Sequence, residues 1–127
     1  MKWLVKIFMT SERIVITGIT GFAGSHLAER AIKFWKNPEL YGFVRPASDI
    51  SDIKKIKDEI NLINADFFDD ENLKKILLEI KPTKIFHLAA ITYVPYSFSN
   101  PAEVMNFNAT GTANLLEAAR QSCPDSL

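Results

Sequence analysis

The 127-residue sequence has a single cysteine, Cys123, only two histidines, and no excess of either charge. A lone thiol forms no internal disulfide, so packing alone must hold the fold, and the cytoplasm is the expected compartment. Two histidines and one cysteine do not make up a dedicated zinc set. Fifteen basic residues balance fifteen acidic ones, which leaves no net field for nucleic acid or an anionic bilayer. No stretch approaches the roughly eighteen uninterrupted apolar residues of a membrane span. The opening MKWLVKIFMT has the look of a leader, but Lys6 interrupts its apolar stretch and no small-residue cleavage site follows, so secretion is not expected. Internal repeats and low-complexity tracts are absent as well.

Glycine is also scarce, yet three of the five glycines, Gly18, Gly21 and Gly24, fall on a three-residue stride within ITGITGFAG. RIVIT (residues 13–17) leads into them as a buried, β-branched strand, and FAGSHLAERAIKFWK leads out as a helix whose Phe22, Leu27, Ala31 and Phe34 fall near one face. LYGFVR (40–45) and INLINAD (60–66) read as further strands, separated by the mostly polar SDISDIKKIKDEI, read as a short helix. DDENLKKILLEI places Leu73, Ile76, Leu77 and Ile80 at helical spacing behind an acidic start. KIFHLAA (84–90) is the fourth strand; a loop with Pro95 and Pro101 follows, then the long helix AEVMNFNATGTANLLEAARQ. This strict alternation predicts a single α/β domain over residues 1–127: a Rossmann-like, three-layer αβα unit with a parallel sheet in the order 3-2-1-4. Any ligand then sits at the carboxyl ends of strands one and four, where the order switches.

The glycine turn has the chemistry of a phosphate cradle. Gly18 permits the tight turn, Gly21 lets a pyrophosphate approach the backbone, and Gly24 lets the helix pack on the strand. The N–H groups near Phe22 and Ala23 open the helix, with Thr17 and Thr20 offering hydroxyls beside them. The spacing is G-x-x-G-x-x-G rather than G-x-G-x-x-G, and no Gly-Lys-Ser/Thr of a P-loop follows. Arg45, with Ser48 nearby, stands at the end of the second strand where an acid would select a ribose hydroxyl, so NADP is favoured over NAD, which stays open. His87, inside an apolar strand, reads as a hydrogen-bonded core residue rather than a base or ligand.

Together VITGITGFAGSHLAE, GFVRPAS, INADFFD, IKPTKIFHLAA, YVPYSFSNP and NATGTANLLEAAR resemble, in order, the extended short-chain dehydrogenase/reductase family. The resemblance is strongest to its NAD(P)-dependent nucleotide-sugar epimerases and dehydratases, the GDP-mannose 4,6-dehydratase group among them. It implies that Gly18, Thr20, Gly21, Phe22, Ala23 and Gly24 line the pyrophosphate and that Arg45 meets the adenosine ribose phosphate. It further implies that Asp66 binds the adenine amino group with Phe67 beside it, and that Leu88, Ala89, Ala90 and Thr92 pass along the cofactor. Asn108 matches the family's helix asparagine. Asp66 also fits a cap or turn residue, and Tyr93, Tyr96 and Phe98 fit either a substrate passage or plain packing.

The family's Tyr-x-x-x-Lys pair has no counterpart: Arg45 follows Tyr41 at that spacing, Ser97 follows Tyr93, and Asn100 follows Tyr96. The expectation is an amino-terminal cofactor-binding portion, inactive alone and lacking the sugar-nucleotide domain; the alternative is a non-catalytic dinucleotide-binding or interaction module. Strand four is then an edge, and apolar surface around Leu115 and Leu116 is expected to be covered by self-association or a companion chain.

Overall fold

The computed structural model describes residues 11–126; the leader-like residues 1–10 and residue 127 lie outside the described residues. Strand β1 (Arg13–Thr17) is followed by helix α1 (Phe22–Phe34), β2 (Glu39–Val44), β3 (Ile60–Asn64), α2 (Asp70–Ile80) and β4 (Lys84–His87). Two short helices, α3 (Val94–Ser99) and α4 (Pro101–Met105), lead through a π-turn (Asn106–Gly111) into α5 (Thr112–Ser122).

All strand pairs are parallel and the order is β3-β2-β1-β4, the Rossmann arrangement expected. Period-two alternation divides the side chains between two cores. Ile14 and Ile16 of β1, Leu40 of β2 and Ile60 of β3 face α1 through Ala28 and Ala31. Val15 and Phe43 point the other way, onto Leu73, Leu77 and Ile80 of α2 and Leu115 and Ala118 of α5. Each fully buried Val or Ile contributes about 1.5–3 kcal/mol. The central strand, with Ile14, Val15 and Ile16 all at 0% exposure, therefore outweighs any surface ion pair, worth about 0–1 kcal/mol.

Several elements depart from the sequence expectation. Phe22 and Phe34 are exposed; α1 buries Gly24, Ser25, Ala28 and Ala31 instead, because small residues let it lie close to β1. The polar stretch before β3 forms two 3₁₀ turns, Ser51–Ile53 and Lys57–Glu59, rather than an α-helix. Its Ile50, Ile53 and Ile56 recur every three residues, the 3₁₀ period, and Ile53 is wholly buried. Strand β4 stops at His87, and the expected loop after it contains α3 and α4. Pro95 and Pro101 each sit in a first helical turn, where the missing N–H has no intrahelical partner to lose. The long final helix is present, continuous from Pro101 to Ser122, with the π-turn as a wider segment inside it. Leu115 is buried against α2, and only Leu116 of that pair is exposed. Among the described residues strand β4 is an edge, half-buried at every residue. Among the described residues no helix is long and apolar enough to cross a membrane.

Candidate functional site

The register places Thr17 between Phe43 and His87, so the carboxyl ends of β2, β1 and β4 finish level with one another. The glycine turn leaves β1 at this rim. Gly18 has φ +67°, and a Cβ there would lie 2.7 Å from the Ala89 nitrogen and 2.8 Å from the Leu88 oxygen. The Gly21 N–H donates to the Gly18 carbonyl at 3.0 Å and closes the turn. A Cβ on Gly24 would stand 2.1 Å from that carbonyl oxygen, so the start of α1 lies directly on the turn. Gly21 is the N-cap of α1 and no side chain caps this end. The first intrahelical bond runs from the Ser25 N–H to the Gly21 carbonyl at 2.9 Å. The N–H groups of Phe22, Ala23 and Gly24 precede it and carry the positive end of the helix dipole. Gly21, Phe22 and Ala23 are exposed, and Thr20 is half-buried beside them.

Arg45 follows the end of β2 and is exposed. Its N–H donates to the Ser48 hydroxyl at 3.0 Å, the Ser48 N–H returns to the Arg45 carbonyl at 2.9 Å, and its guanidinium carbon lies 5.5 Å from the Phe107 ring centre. Asp66, beyond β3, is exposed and accepts the Phe68 N–H at 2.9 Å. The helix cap beside it is Asp69, which accepts from the Asn72 N–H. Phe67 is buried; its ring presents an edge-on contact to His87 at 5.4 Å and packs 5.9 Å from Phe107. Leu88, Ala90 and Thr92 are exposed and Ala89 is half-buried, in the segment that leaves β4.

A polar chain lies beneath this segment. The Thr17 hydroxyl receives the N–H groups of Leu88 and Ala89, each at 3.1 Å, and meets His87 Nδ1 at 2.7 Å. It is fully buried and committed to these partners, so it is not open to a phosphate, contrary to the sequence reading of its hydroxyl. His87 Nε2 lies 2.9 Å from the Thr112 hydroxyl, which donates to the Asn108 carbonyl at 2.6 Å. The Asn108 side chain grips Ile91 twice, accepting its N–H at 2.8 Å and donating to its carbonyl at 3.0 Å. Burial lowers the His87 pKa from its ordinary 6.5. With both ring nitrogens bonded, His87 is a structural histidine rather than an open base. Thr112 drew no notice in the sequence; its only signal is the four-residue spacing from Asn108 in NATGT. Among the described residues no three His, Cys, Asp or Glu side chains cluster as metal ligands.

Residues 15–126 match the family model of GDP-mannose 4,6 dehydratase, nearly the whole of the strand–turn–helix frame just described. The chain belongs to this family. The GDP-mannose 4,6-dehydratase of Vibrio cholerae is 36% identical over 118 residues, covering 86% of this chain and 31% of the relative. The UDP-glucose 4-epimerase of Thermus thermophilus, solved in complex with NAD, superposes with a TM-score of 0.74 at 30% identity, covering 87% of this chain and 34% of that one. The UDP-glucose 4-epimerase of Brucella ovis, also solved with NAD, shares the fold with a TM-score of 0.76 at 24% identity, over 88% of this chain and 33% of its own. The chain thus spans about a third of the length of these GDP-mannose dehydratase and epimerase relatives.

Proposed function

We propose that residues 1–127 are the dinucleotide-binding part of a nucleotide-sugar dehydratase, epimerase or reductase, and that the dinucleotide is NADP(H). The observation that carries this reading is the open start of α1. The N–H groups of Phe22, Ala23 and Gly24 have no side-chain cap, Phe22 and Ala23 are exposed, and the turn beside them has glycines at 18 and 24 that leave no room for a side chain. Such an arrangement suits a pyrophosphate bridging two nucleotides. The NAD-bound epimerases of the same fold support a nicotinamide dinucleotide. Arg45 and Ser48, linked in one turn at the end of β2, supply a cation and a hydroxyl for a ribose 2′-phosphate, which is the ground for NADP(H) over NAD(H).

When bound, the nicotinamide takes and returns a hydride. The residues of this chain hold and orient it: Gly18 through Gly24 at the pyrophosphate, Arg45 at the ribose phosphate, Asp66 and Phe67 toward the adenine, and Leu88 to Thr92 along the remaining path. The sequence has no Tyr-x-x-x-Lys pair, so no group here moves the proton coupled to that hydride. The reaction requires residues beyond these 127. Isothermal titration calorimetry of the chain with NADPH and NADH tests the reading. NADPH is expected to bind more tightly than NADH, with no turnover of a GDP-sugar. Absence of binding to both nucleotides would overturn it and favour an interaction module; turnover by this chain alone would overturn the assignment of the catalytic groups.

A further inference from the structure

The hydrogen-bond chain beneath residues 88–92 has a polarity that can be deduced. A carbonyl only accepts, so the Thr112 proton goes to the Asn108 oxygen at 2.6 Å. His87 Nε2, 2.9 Å from the same hydroxyl, must then carry a proton and donate it. At the other end, the Thr17 hydroxyl oxygen accepts the N–H of Ala89 and shares the N–H of Leu88 with the Thr17 carbonyl, which that N–H also meets at 3.2 Å. The hydroxyl's own proton therefore points to His87 Nδ1, 2.7 Å away. The neutral Nε2–H tautomer satisfies every group at once. A protonated imidazole would direct a third donor at a Thr17 oxygen that already receives two N–H groups.

We propose that His87, as the Nε2–H tautomer, is a positioning residue for the segment 88–92. Through Thr17 it sets the N–H groups of Leu88 and Ala89, and through Thr112 and Asn108 it sets Ile91. The consequence for cofactor affinity rests on the dinucleotide reading above; the positioning itself does not.

Among the described residues, the side chains that His87 meets by hydrogen bond or ring contact are Thr17, Thr112 and Phe67, all neutral. The charged groups on the elements packed around it are engaged elsewhere. Arg13 on β1 donates to the Lys81 carbonyl, and Lys84 on β4 pairs with Glu12. Asp66 receives the Phe68 N–H, Arg45 lies over Phe107, and Glu117 and Arg120 on α5 pair with each other.

Nitrogen NMR of the full chain reads the tautomer, and its amide spectrum follows residues 88, 89 and 91. Nδ1 is expected to be pyridine-like and Nε2 pyrrole-like at neutral pH. As the pH falls below the ordinary histidine value of 6.5, the amides of Leu88 and Ala89 should shift with the imidazole midpoint. Thr112→Val should move the amides of Leu88, Ala89 and Ile91 and weaken NADPH binding by about tenfold, because the segment the cofactor meets is no longer held in place beforehand. Thr112→Ser, which keeps the hydroxyl, should restore both. An Nδ1–H tautomer, or a Thr112→Val chain with unchanged amides, would overturn the proposal. If the unaltered chain binds neither NADPH nor NADH, the cofactor reading fails, and the tautomer and amide shifts decide the positioning of residues 88–92 on their own.

Discussion

Replacing Gly24 by alanine adds one methyl group at the most confined of the five glycines. The new Cβ would stand 2.1 Å from the Gly18 carbonyl oxygen and 2.7 Å from the Ile19 Cα. Both are backbone atoms, so no side chain can rotate away. Ordinary contact begins near 3.4 Å, and α1 must therefore lift from the turn by about 1.3 Å, enough to forfeit much of the local dispersion contact. Overpacking of this kind costs about 1–3 kcal/mol, against which the helix-propensity gain of alanine over glycine returns at most about 1 kcal/mol. A net loss of about 1–2 kcal/mol is expected, a fall in Tm of about 4–8 °C at this chain length. Gly111→Ala is the matched control. Its backbone is helical, with φ −59° and ψ −41°, and the added Cβ would meet Phe67 at an ordinary 3.5 Å. That change should stabilise by about 0.5–1 kcal/mol. Urea unfolding followed by circular dichroism measures both. Equal midpoints for Gly24→Ala and the parent chain would refute the argument that helix and turn touch through their backbones, and with it the geometry of the proposed phosphate cradle.

Three further outcomes follow from the same geometry. Asp69→Ala removes the carboxylate that accepts the Asn72 N–H at the start of α2; a loss of about 0.5–2 kcal/mol in urea unfolding is expected, and no loss would mean that water replaces this cap fully. Arg45→Ala should lower NADPH affinity by about ten- to a hundredfold, the worth of a charge-assisted contact, while leaving NADH within about twofold; calorimetry showing equal losses for both nucleotides would remove Arg45 from the 2′-phosphate. His87 has its pKa lowered in the fold from 6.5, so below that value the unfolded chain binds more protons than the folded one. Stability is therefore full above pH 6.5 and declines as the pH falls toward the folded-state value; His87→Asn should flatten this part of the pH profile of the urea midpoint, and an unchanged slope would remove His87 from the linkage.

The alternation of apolar strands with helical periods was legible without coordinates, as were the parallel order 3-2-1-4 and the glycine turn at the switch point. Each rests on local spacing: β-branched residues in RIVIT, a stride of three in the glycines, Leu73, Leu77 and Ile80 on one helical face. The π-turn was not legible, because Asn108 within it is held by Ile91, a residue seventeen positions away, while its carbonyl accepts the Thr112 hydroxyl, and neither bond can be read from local spacing. Nor was the outward turn of Phe22 and Phe34, since helical period alone did not reveal that α1 approaches β1 too closely for aromatic rings on its inner face.

By itself, then, the sequence determined the order of elements, the two-faced sheet and the glycine cradle, because hydrophobic period and glycine placement are properties of neighbours along the chain. Only the tertiary structure decided which polar groups remain open at the rim. Thr17 is withdrawn into a bond with His87 that spans seventy residues, while the first N–H groups of α1 stay free of any side-chain cap. A hydroxyl or amide is available to a ligand only if the fold has not already paired it, and that pairing depends on residues that are distant in sequence.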